Sequence, residues 1–340
     1  MRLASLLNVA WVLSGVASVA TAGEAGVPSR LSDTGLFAPG TSDISAEVLS
    51  FTPQYPLWSD GATKRRWIYL PPGSSIDVSQ PDEWQFPPGT RLWKEFSHGR
   101  PVETRMIERL EDGSWRFLVY LWNADGSEAT LAPAEGIAGL PVVTAPTGGY
   151  DIPSREDCAV CHTGGQVPVL GFSALQLSPD RDPLAPHAEP VRTGDTDLRH
   201  LIATGRLRNA PPELLEVPPR ISASSPEERA SLGYLHANCG HCHNGHGSLA
   251  LLELVLSQDV RSERPNGTNA IHTTVGRASD SKVLGLDTRI VPGRPDTSLL
   301  AARMRSRSPM TQMPPLGSHV VDAEGVGLVE QWIRQLARPN

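Results

Sequence analysis

Leu235-His236-Ala237-Asn238-Cys239-Gly240-His241-Cys242-His243 is the stretch of sequence around which the rest of the chain is organised. Its last five residues form the pattern Cys-x-x-Cys-His, which is typical of covalent attachment of c-type haem. Two cysteines three positions apart lie about one helical turn apart on one face, so both thiols can reach the vinyl groups of one porphyrin. The histidine that follows is placed to bring a ring nitrogen to the iron.

A second copy of the pattern occurs upstream, at Cys158-Ala159-Val160-Cys161-His162. The chain has four cysteines, and the two motifs use all of them. We therefore predict that the protein binds two haem c groups, each held by two thioethers and one histidine. The predicted attachment and iron-binding residues are Cys158, Cys161, Cys239, Cys242, His162 and His243.

Three other uses of four cysteines fit the count alone. In an exported protein they could form two disulfides. A Cys-x-x-Cys pair could be a thioredoxin-like redox centre, and four thiolates could bind zinc. None of these explains why a histidine directly follows the second cysteine in both motifs, so the repeated histidine favours haem.

The first 22 residues are typical of an export signal. Arg2 supplies a positive start, residues 3–20 are mostly apolar, and Ala20-Thr21-Ala22 fits a cleavage site. The alternative is an N-terminal membrane anchor, but the run is short for a membrane span and polar residues interrupt it. We expect cleavage, a periplasmic location and no transmembrane segment in the mature chain.

The charge pattern excludes one class of partner. The formal net charge is −7, and acidic and basic residues are well mixed. The sequence contains no basic stripe of the kind that binds nucleic acid. The local basic run Arg303-Met304-Arg305-Ser306-Arg307 is typical of a solvated loop, and its functional alternative is a docking patch for an acidic redox partner.

Residues 23–149 are predicted to form an N-terminal all-β, sandwich-like domain. Short apolar and aromatic runs between turn signals predict strands, and the turn Glu111-Asp112-Gly113-Ser114 predicts a hairpin. Six of the eight tryptophans lie in this region, and we interpret them as core and rim rather than as a binding platform for sugars or proteins. The predicted strands are Trp67–Leu70, Arg91–Phe96, Thr104–Leu110 and Trp115–Trp122.

The rest of the chain is predicted to be a mostly α-helical dihaem cytochrome c region, which makes the fold multidomain. Its two units are residues 150–220 and residues 221–340. Ser154 is predicted to cap the helix that carries the first motif. Ser225-Pro226-Glu227-Glu228 predicts the start of the helix before the second motif, and Asp322 the cap of a C-terminal partner helix.

The sixth iron ligand decides whether a haem carries electrons or reacts with a substrate. Met313 is the predicted ligand of the second haem, because it follows the motif in Met-Pro-Pro-Leu-Gly, where prolines stiffen the loop. Its sulfur would raise the potential and close the iron to substrate. Met304 and Met310 are the competing methionines.

The first haem lacks an obvious sixth ligand, because no methionine lies between His162 and Met304. His200 ranks first among the histidines, since a predicted helix places it within the same unit. His241 lies inside the second motif and is interpreted as a spacer. If no side chain binds, the first iron is open and could react with peroxide. The candidate histidines are His187, His200, His236 and His272.

Several further stretches accompany the two motifs, namely Tyr55–Ala62, Phe86–Thr90, Glu103–Arg105, Tyr120–Asn123 and Pro153–Arg155. In this order they resemble a family of bacterial dihaem c-type cytochromes with a β-rich N-terminal region, whose partners are largely unassigned. Residues 225–336 also resemble class I cytochrome c domains, which implies Cys239, Cys242, His243 and Met313 as one haem site. The order of elements does not resemble that of dihaem peroxidases.

These patterns predict periplasmic electron transfer through two covalent haems, with periplasmic donor and acceptor proteins that the sequence does not identify. One alternative is a haem peroxidase or small oxidoreductase that uses an open first haem. Another is a docking module, in which the β-rich domain binds a periplasmic dehydrogenase or a polysaccharide. Electron transfer is favoured over catalysis, and no catalytic residue is assigned.

Overall fold

The computed structural model describes residues 26–260 and 269–336. The predicted signal peptide lies outside these residues. The strands are β1 (Val48–Ser50), β2 (Thr63–Tyr69), β3 (Ile76–Asp77), β4 (Arg91–Ser97), β5 (Pro101–Arg109), β6 (Trp115–Trp122), β7 (Ala129–Leu131), β8 (Ile137–Pro141), β9 (Gly149–Ile152), β10 (Leu207–Arg208), β11 (Ala278–Val283) and β12 (Leu286–Thr288). The helices are α1 (Arg155–His162), α2 (Leu198–Ala203), α3 (Pro212–Glu216), α4 (Pro226–Asn238), α5 (Asn269–Thr274), α6 (Leu299–Arg305) and α7 (Ala323–Gln335).

One antiparallel sheet of six strands, in the order β1-β2-β4-β5-β6-β7, forms the centre of the fold. The four strands predicted from aromatic and β-branched runs are confirmed as β2, β4, β5 and β6. The predicted hairpin between β5 and β6 is also confirmed. Its Leu110 N–H donates to the carbonyl of Ser114 at 2.9 Å, and Gly113 takes a φ of 83°, which glycine adopts readily.

Both faces of this sheet are covered. On one face, Trp67, Trp93 and Met106 pack against Leu31 and Leu36 from the segment before β1. On the other face, strand residues pack against side chains that follow α1 in the sequence, and β10 adds a parallel pairing with β3. This second core includes Ile68, Leu92, Ile107, Phe172, Leu198 and Leu201. Residues from the predicted β-rich domain (23–149) and from the predicted first haem unit (150–220) therefore share one hydrophobic core.

Helices α4 and α7 pack together at the other end of the chain, as predicted. Ser225 Oγ accepts from the Glu228 N–H at 3.1 Å, and the Asp322 carboxylate accepts from the Gly325 N–H at 3.0 Å, so both predicted caps are confirmed. Trp332 of α7 donates from Nε1 to Glu228 Oε2 at 3.1 Å. This buried bond ties the first turn of α4 to the last turns of α7.

Asp322 has two further partners besides its cap. Tyr234 donates its hydroxyl to Asp322 at 2.9 Å, and His187 Nε2 lies 2.8 Å from the same carboxylate. The hydrogen bond to Asp322 raises the pKa of His187, and the pKa of Asp322 is lowered, although burial alone would raise it. Asp322 therefore joins α4, α7 and the segment around His187.

The predicted fold class, a β-sandwich followed by a mostly α-helical haem region, is wrong. Only about 23% of the described residues are helical, and the large sheet packs against irregular chain and the short helix α2 rather than against a second large sheet. Residues 163–197 contain no helix or strand. Side chains hold this segment, for example Gln176, which exchanges hydrogen bonds with Tyr55 at 3.0 and 3.1 Å.

In the described part of the chain, no helix combines the length and the apolar character that a membrane span requires.

Candidate functional site

The first motif lies on α1. Ser154 Oγ accepts from the Asp157 N–H at 3.0 Å, and the Asp157 carboxylate accepts from the Ser154 N–H at 2.9 Å. This reciprocal cap fixes where α1 begins. Cys158, Cys161 and His162 follow on the same short helix, so the two thiols lie about one turn apart, as the motif requires.

The second motif lies in turns rather than on a helix. Helix α4 ends at Asn238, and Cys239 is its C-cap. The N–H groups of Cys242 and His243 both donate to the carbonyl of Cys239, at 3.1 and 2.9 Å. This turn brings Cys239 and Cys242 close together, although the two residues do not lie on one helix as the cysteines of the first motif do.

The two motifs lie against each other, although about 80 residues separate them in the sequence. The Asn244 amide donates to the carbonyls of Gly164, Gly240 and His241, at 3.0, 3.1 and 2.9 Å. A Cβ on Gly164 would lie 2.6 Å from the carbonyl oxygen of His241, so only glycine permits this approach. The Asn244 side chain therefore connects the loop after the first motif to the second motif through hydrogen bonds.

All four cysteines are free thiols. The side chains of Cys161 and Cys242 interact across the two motifs. This interaction and burial raise the pKa of Cys161 to about 12, whereas the same interaction lowers the pKa of Cys242. The thiols are thus available for thioether formation, and one from each motif lies at the point where the motifs meet.

The ring of His162 is oriented as a metal ligand should be. Its Nδ1 lies 2.6 Å from the carbonyl oxygen of Pro168. A carbonyl can only accept, so Nδ1 carries the proton and Nε2 keeps a lone pair. Burial lowers the pKa of His162 to about 4, so the ring is neutral at neutral pH. The ring also lies 5.2 Å from that of Phe117, on the central sheet.

His243 has a different environment. It is buried, and its Nδ1 has no hydrogen-bond partner among the described residues. Burial lowers its pKa to about 4, with further lowering by the charges of Arg303 and Arg289. A neutral imidazole fits iron ligation, but the backbone partner that fixes the tautomer of His162 is missing here.

A cavity of about 1080 Å³ adjoins both motifs. Its lining includes Cys158, Cys161 and His162 of the first motif, and Gly240 and His241 of the second. Free thiols, a neutral histidine with a free lone pair and a cavity of this size fit a covalently bound haem at the first motif. Cys239, Cys242 and His243 are not part of this lining, so the fit is less complete at the second motif.

The three methionines near the C-terminus occupy different environments. Met304 is buried in the core of α4, α6 and α7, and Met310 is 84% exposed. The Met313 N–H donates to the carbonyl of Arg303 at 3.0 Å, and the charge of Arg303 is near enough to lower the pKa of His243. Met313 therefore lies in the same part of the molecule as the predicted fifth ligand.

The structure does not bring His200 together with His162. His200 is exposed and lines a separate pocket near Leu49 and Gly205. His187 binds Asp322 through Nε2, and His272 is exposed on α5. Two histidines of the predicted second haem unit do line the cavity, His236 and His241.

The contacts of His236 and His241 do not leave either ring with an Nε2 lone pair that is shown to be free for iron. His236 Nδ1 accepts from the Gln258 N–H at 3.0 Å, so the proton of this buried neutral ring is on Nε2. The side chain of His241 lies near enough to Cys161 to lower the pKa of that thiol, and its buried Nδ1 has no hydrogen-bond partner in the described part of the chain. The first iron would therefore have no ready sixth ligand among the histidines ranked from the sequence.

The interpretation of the strands as sandwich core and rim missed the charged wall of the cavity. Arg66, Lys94 and Arg105 lie on three neighbouring strands, and all three line the cavity. One sequence signal could have indicated this wall. In these aromatic-rich strands, basic residues occupy positions that the alternation of side chains between the two sheet faces assigns to the buried face.

Zinc bound by all four thiolates does not fit this arrangement, since no three His, Cys, Asp or Glu side chains in residues 26–260 and 269–336 are grouped to hold a metal ion. No protein-family model, curated protein or solved structure matches the chain.

Proposed function

We propose that this protein is a periplasmic dihaem c-type cytochrome that transfers electrons between redox proteins, of the kind that its sequence resembles. The observation that carries the proposal is the meeting of two Cys-x-x-Cys-His motifs at one cavity, with the His162 proton held on Nδ1 by Pro168. A disulfide, or a zinc site made of the four thiolates, would leave this oriented histidine without a role.

Each residue has a defined role in this proposal. Cys158 and Cys161 would form the thioethers of one haem, and Cys239 and Cys242 those of the other. His162 and His243 would bind the two irons, with Met313 as the sixth ligand of the second. The haems supply reversible one-electron chemistry when bound.

The chain itself sets the geometry for electron exchange. Asn244 holds the two motifs together through three backbone carbonyls, and Cys161 contacts Cys242. The two attachment points are therefore adjacent, which favours direct exchange between the haems. The Pro168 carbonyl fixes the orientation of the His162 ring, and burial keeps the ring neutral.

Intact-mass measurement of the protein matured in a periplasmic c-type system tests the proposal. The wild type should carry two covalent haems, and the paired variants C158A/C161A and C239A/C242A should each carry one. The two double variants are matched controls for each other. A wild-type protein with fewer than two covalent haems would overturn the proposal.

A second candidate function is small-molecule catalysis at an open first haem. The observation that favours it is that His200, the highest-ranked sixth ligand, lies at a different pocket, whereas the cavity adjoins His162. This function predicts a high-spin haem that binds cyanide and turns over hydrogen peroxide. A fully low-spin protein without turnover, also after partial reduction, would exclude it.

A further inference from the structure

Three cations lie side by side on one face of the central sheet. Arg66 is the register partner of Lys94, and Lys94 is the register partner of Arg105. Like charges directly opposite each other on neighbouring strands destabilise a sheet. Lys64 belongs to the same group, since its charge lowers the pKa of Lys94, and the charges of Arg66 and Arg105 lower the pKa of both lysines. This arrangement therefore costs stability in the absence of an anion.

The protein compensates only part of this charge. Arg66 forms a bidentate pair with Glu189, at 2.7 and 3.1 Å, and Arg105 forms an ion pair with Glu103. The side chain of Lys94, in the middle, has no hydrogen bond or ion pair with any described residue, and its Nζ lies over the ring of Phe96 at 4.8 Å. The central cation of the row is thus without an anionic partner.

Lys94 is half-buried at the wall of the cavity, and burial lowers the pKa of its ammonium well below the usual value. Withdrawing an ammonium from water without an anionic partner is costly, so its position indicates a ligand. It is also a rare residue type in this chain, whose three lysines are Lys64, Lys94 and Lys282. Two of the three lie in this cationic group.

The cationic row faces the first motif rather than the second. The charges of Lys94 and Arg105 both lower the pKa of His162, so they lie near its ring. Phe117, whose ring contacts His162, is on the same face of the sheet as Ile107 and Arg105. An occupant of the cavity that is attached at Cys158 and Cys161 would have this wall beside it.

We propose that Arg66, Lys94 and Arg105, with Lys64 behind them, form a carboxylate-binding wall whose ligands are the propionate groups of the haem at the first motif. This inference rests on the proposed function. A haem brings two carboxylates, and the row has an unpartnered cation at its centre. A soluble carboxylate has the same chemistry, and the experiment distinguishes the two sources.

The test is a redox titration of the haem-loaded full-length protein with Lys94→Met, Lys94→Gln and Lys94→Arg. Removing a nearby positive charge destabilises the reduced haem, so one of the two midpoint potentials should fall in the Met and Gln variants. At fixed applied potential the ratio of oxidised to reduced haem should rise about tenfold for that haem. The Arg variant should restore the ratio, and Lys282→Met, at an exposed lysine outside the cavity, should leave both potentials unchanged.

Formate titration of the wild type is the second arm. If the haem propionates already occupy the wall, added formate should cause no saturable change in the haem spectrum. Saturable formate binding that disappears in Lys94→Met would assign the wall to a soluble carboxylate and overturn the proposal. Unchanged potentials in both Lys94→Met and Lys94→Gln would also overturn it, with the dihaem assignment intact. A wild type without covalent haem would remove both proposals.

Discussion

Asn244 provides the sharpest test of how the two motifs are held together. Its amide group has two N–H donors and lies within hydrogen-bond distance of three backbone carbonyls from both motifs. Asn244→Ala removes these bonds but leaves carbonyls that water can reach, because the site is half-buried. A net value of 0.5–1.5 kcal/mol per bond gives a loss of about 2 kcal/mol in the free energy of unfolding.

Asn244→Asp should cost more, although it changes fewer atoms. A carboxylate cannot donate, and its oxygens would lie about 3 Å from the same carbonyl oxygens. The repulsion adds on the order of 1–2 kcal/mol to the loss of the hydrogen bonds. We therefore expect a total loss of about 3–4 kcal/mol for Asp, against about 2 kcal/mol for Ala.

Urea unfolding of the haem-loaded protein, followed by tryptophan fluorescence, measures both values. Asn123→Ala is the control, because the side-chain hydrogen bonds of Asn123 lie within the turn between β6 and β7, away from the motifs. The control should leave the haem spectra unchanged, whereas both Asn244 variants should alter them. If Asn244→Asp proved no less stable than Asn244→Ala, the amide would not be the donor that joins the motifs, and the reasoning would be refuted.

Three other predictions concern single residues. Met313→Ala should abolish the methionine–iron charge-transfer band of the oxidised protein, whereas Met310→Ala should not; persistence of the band in the first variant would remove Met313 as a ligand. Gly240→Ala should reduce haem loading of the second motif, measured by intact mass, because the new Cβ would lie 2.6 Å from a carbonyl oxygen of α4; full loading would refute the steric argument. The raised pKa of His187 contributes stability that is present below about pH 6.5 and is lost as pH rises through the folded-state pKa. The unfolding free energies of wild type and His187→Asn should therefore converge with rising pH over this range, and parallel pH profiles would contradict the pairing with Asp322.

Local structure was predictable wherever the signal is local. The caps at Ser154, Ser225 and Asp322 depend on residues three positions apart, and all three form as expected. The strands of the central sheet were predictable because aromatic and β-branched side chains repeat in short runs bounded by glycine and proline turns. These features need no knowledge of what the chain contacts elsewhere.

The prediction of a mostly helical haem region failed because non-local contacts hold the chain there. Gln176 bonds to Tyr55, which lies 121 residues away, and the Arg181 guanidinium donates to the carbonyls of Thr52 and Pro53 at 2.8 and 3.0 Å. Such bonds replace helical hydrogen bonds, and neither periodicity nor capping signals indicate them. The ranking of His200 had the same weakness, because nearness in sequence was its main support.

The sequence by itself determined the two Cys-x-x-Cys-His motifs and the helix that carries the first of them, since these depend on spacings of a few residues. Only the tertiary structure decided that Cys161 meets Cys242, that Asn244 joins the motifs, and that Lys94 faces the cavity without a partner. The physical reason is that strand register and chain packing set these distances. A row of cations on one sheet face exists only once β2, β4 and β5 have paired.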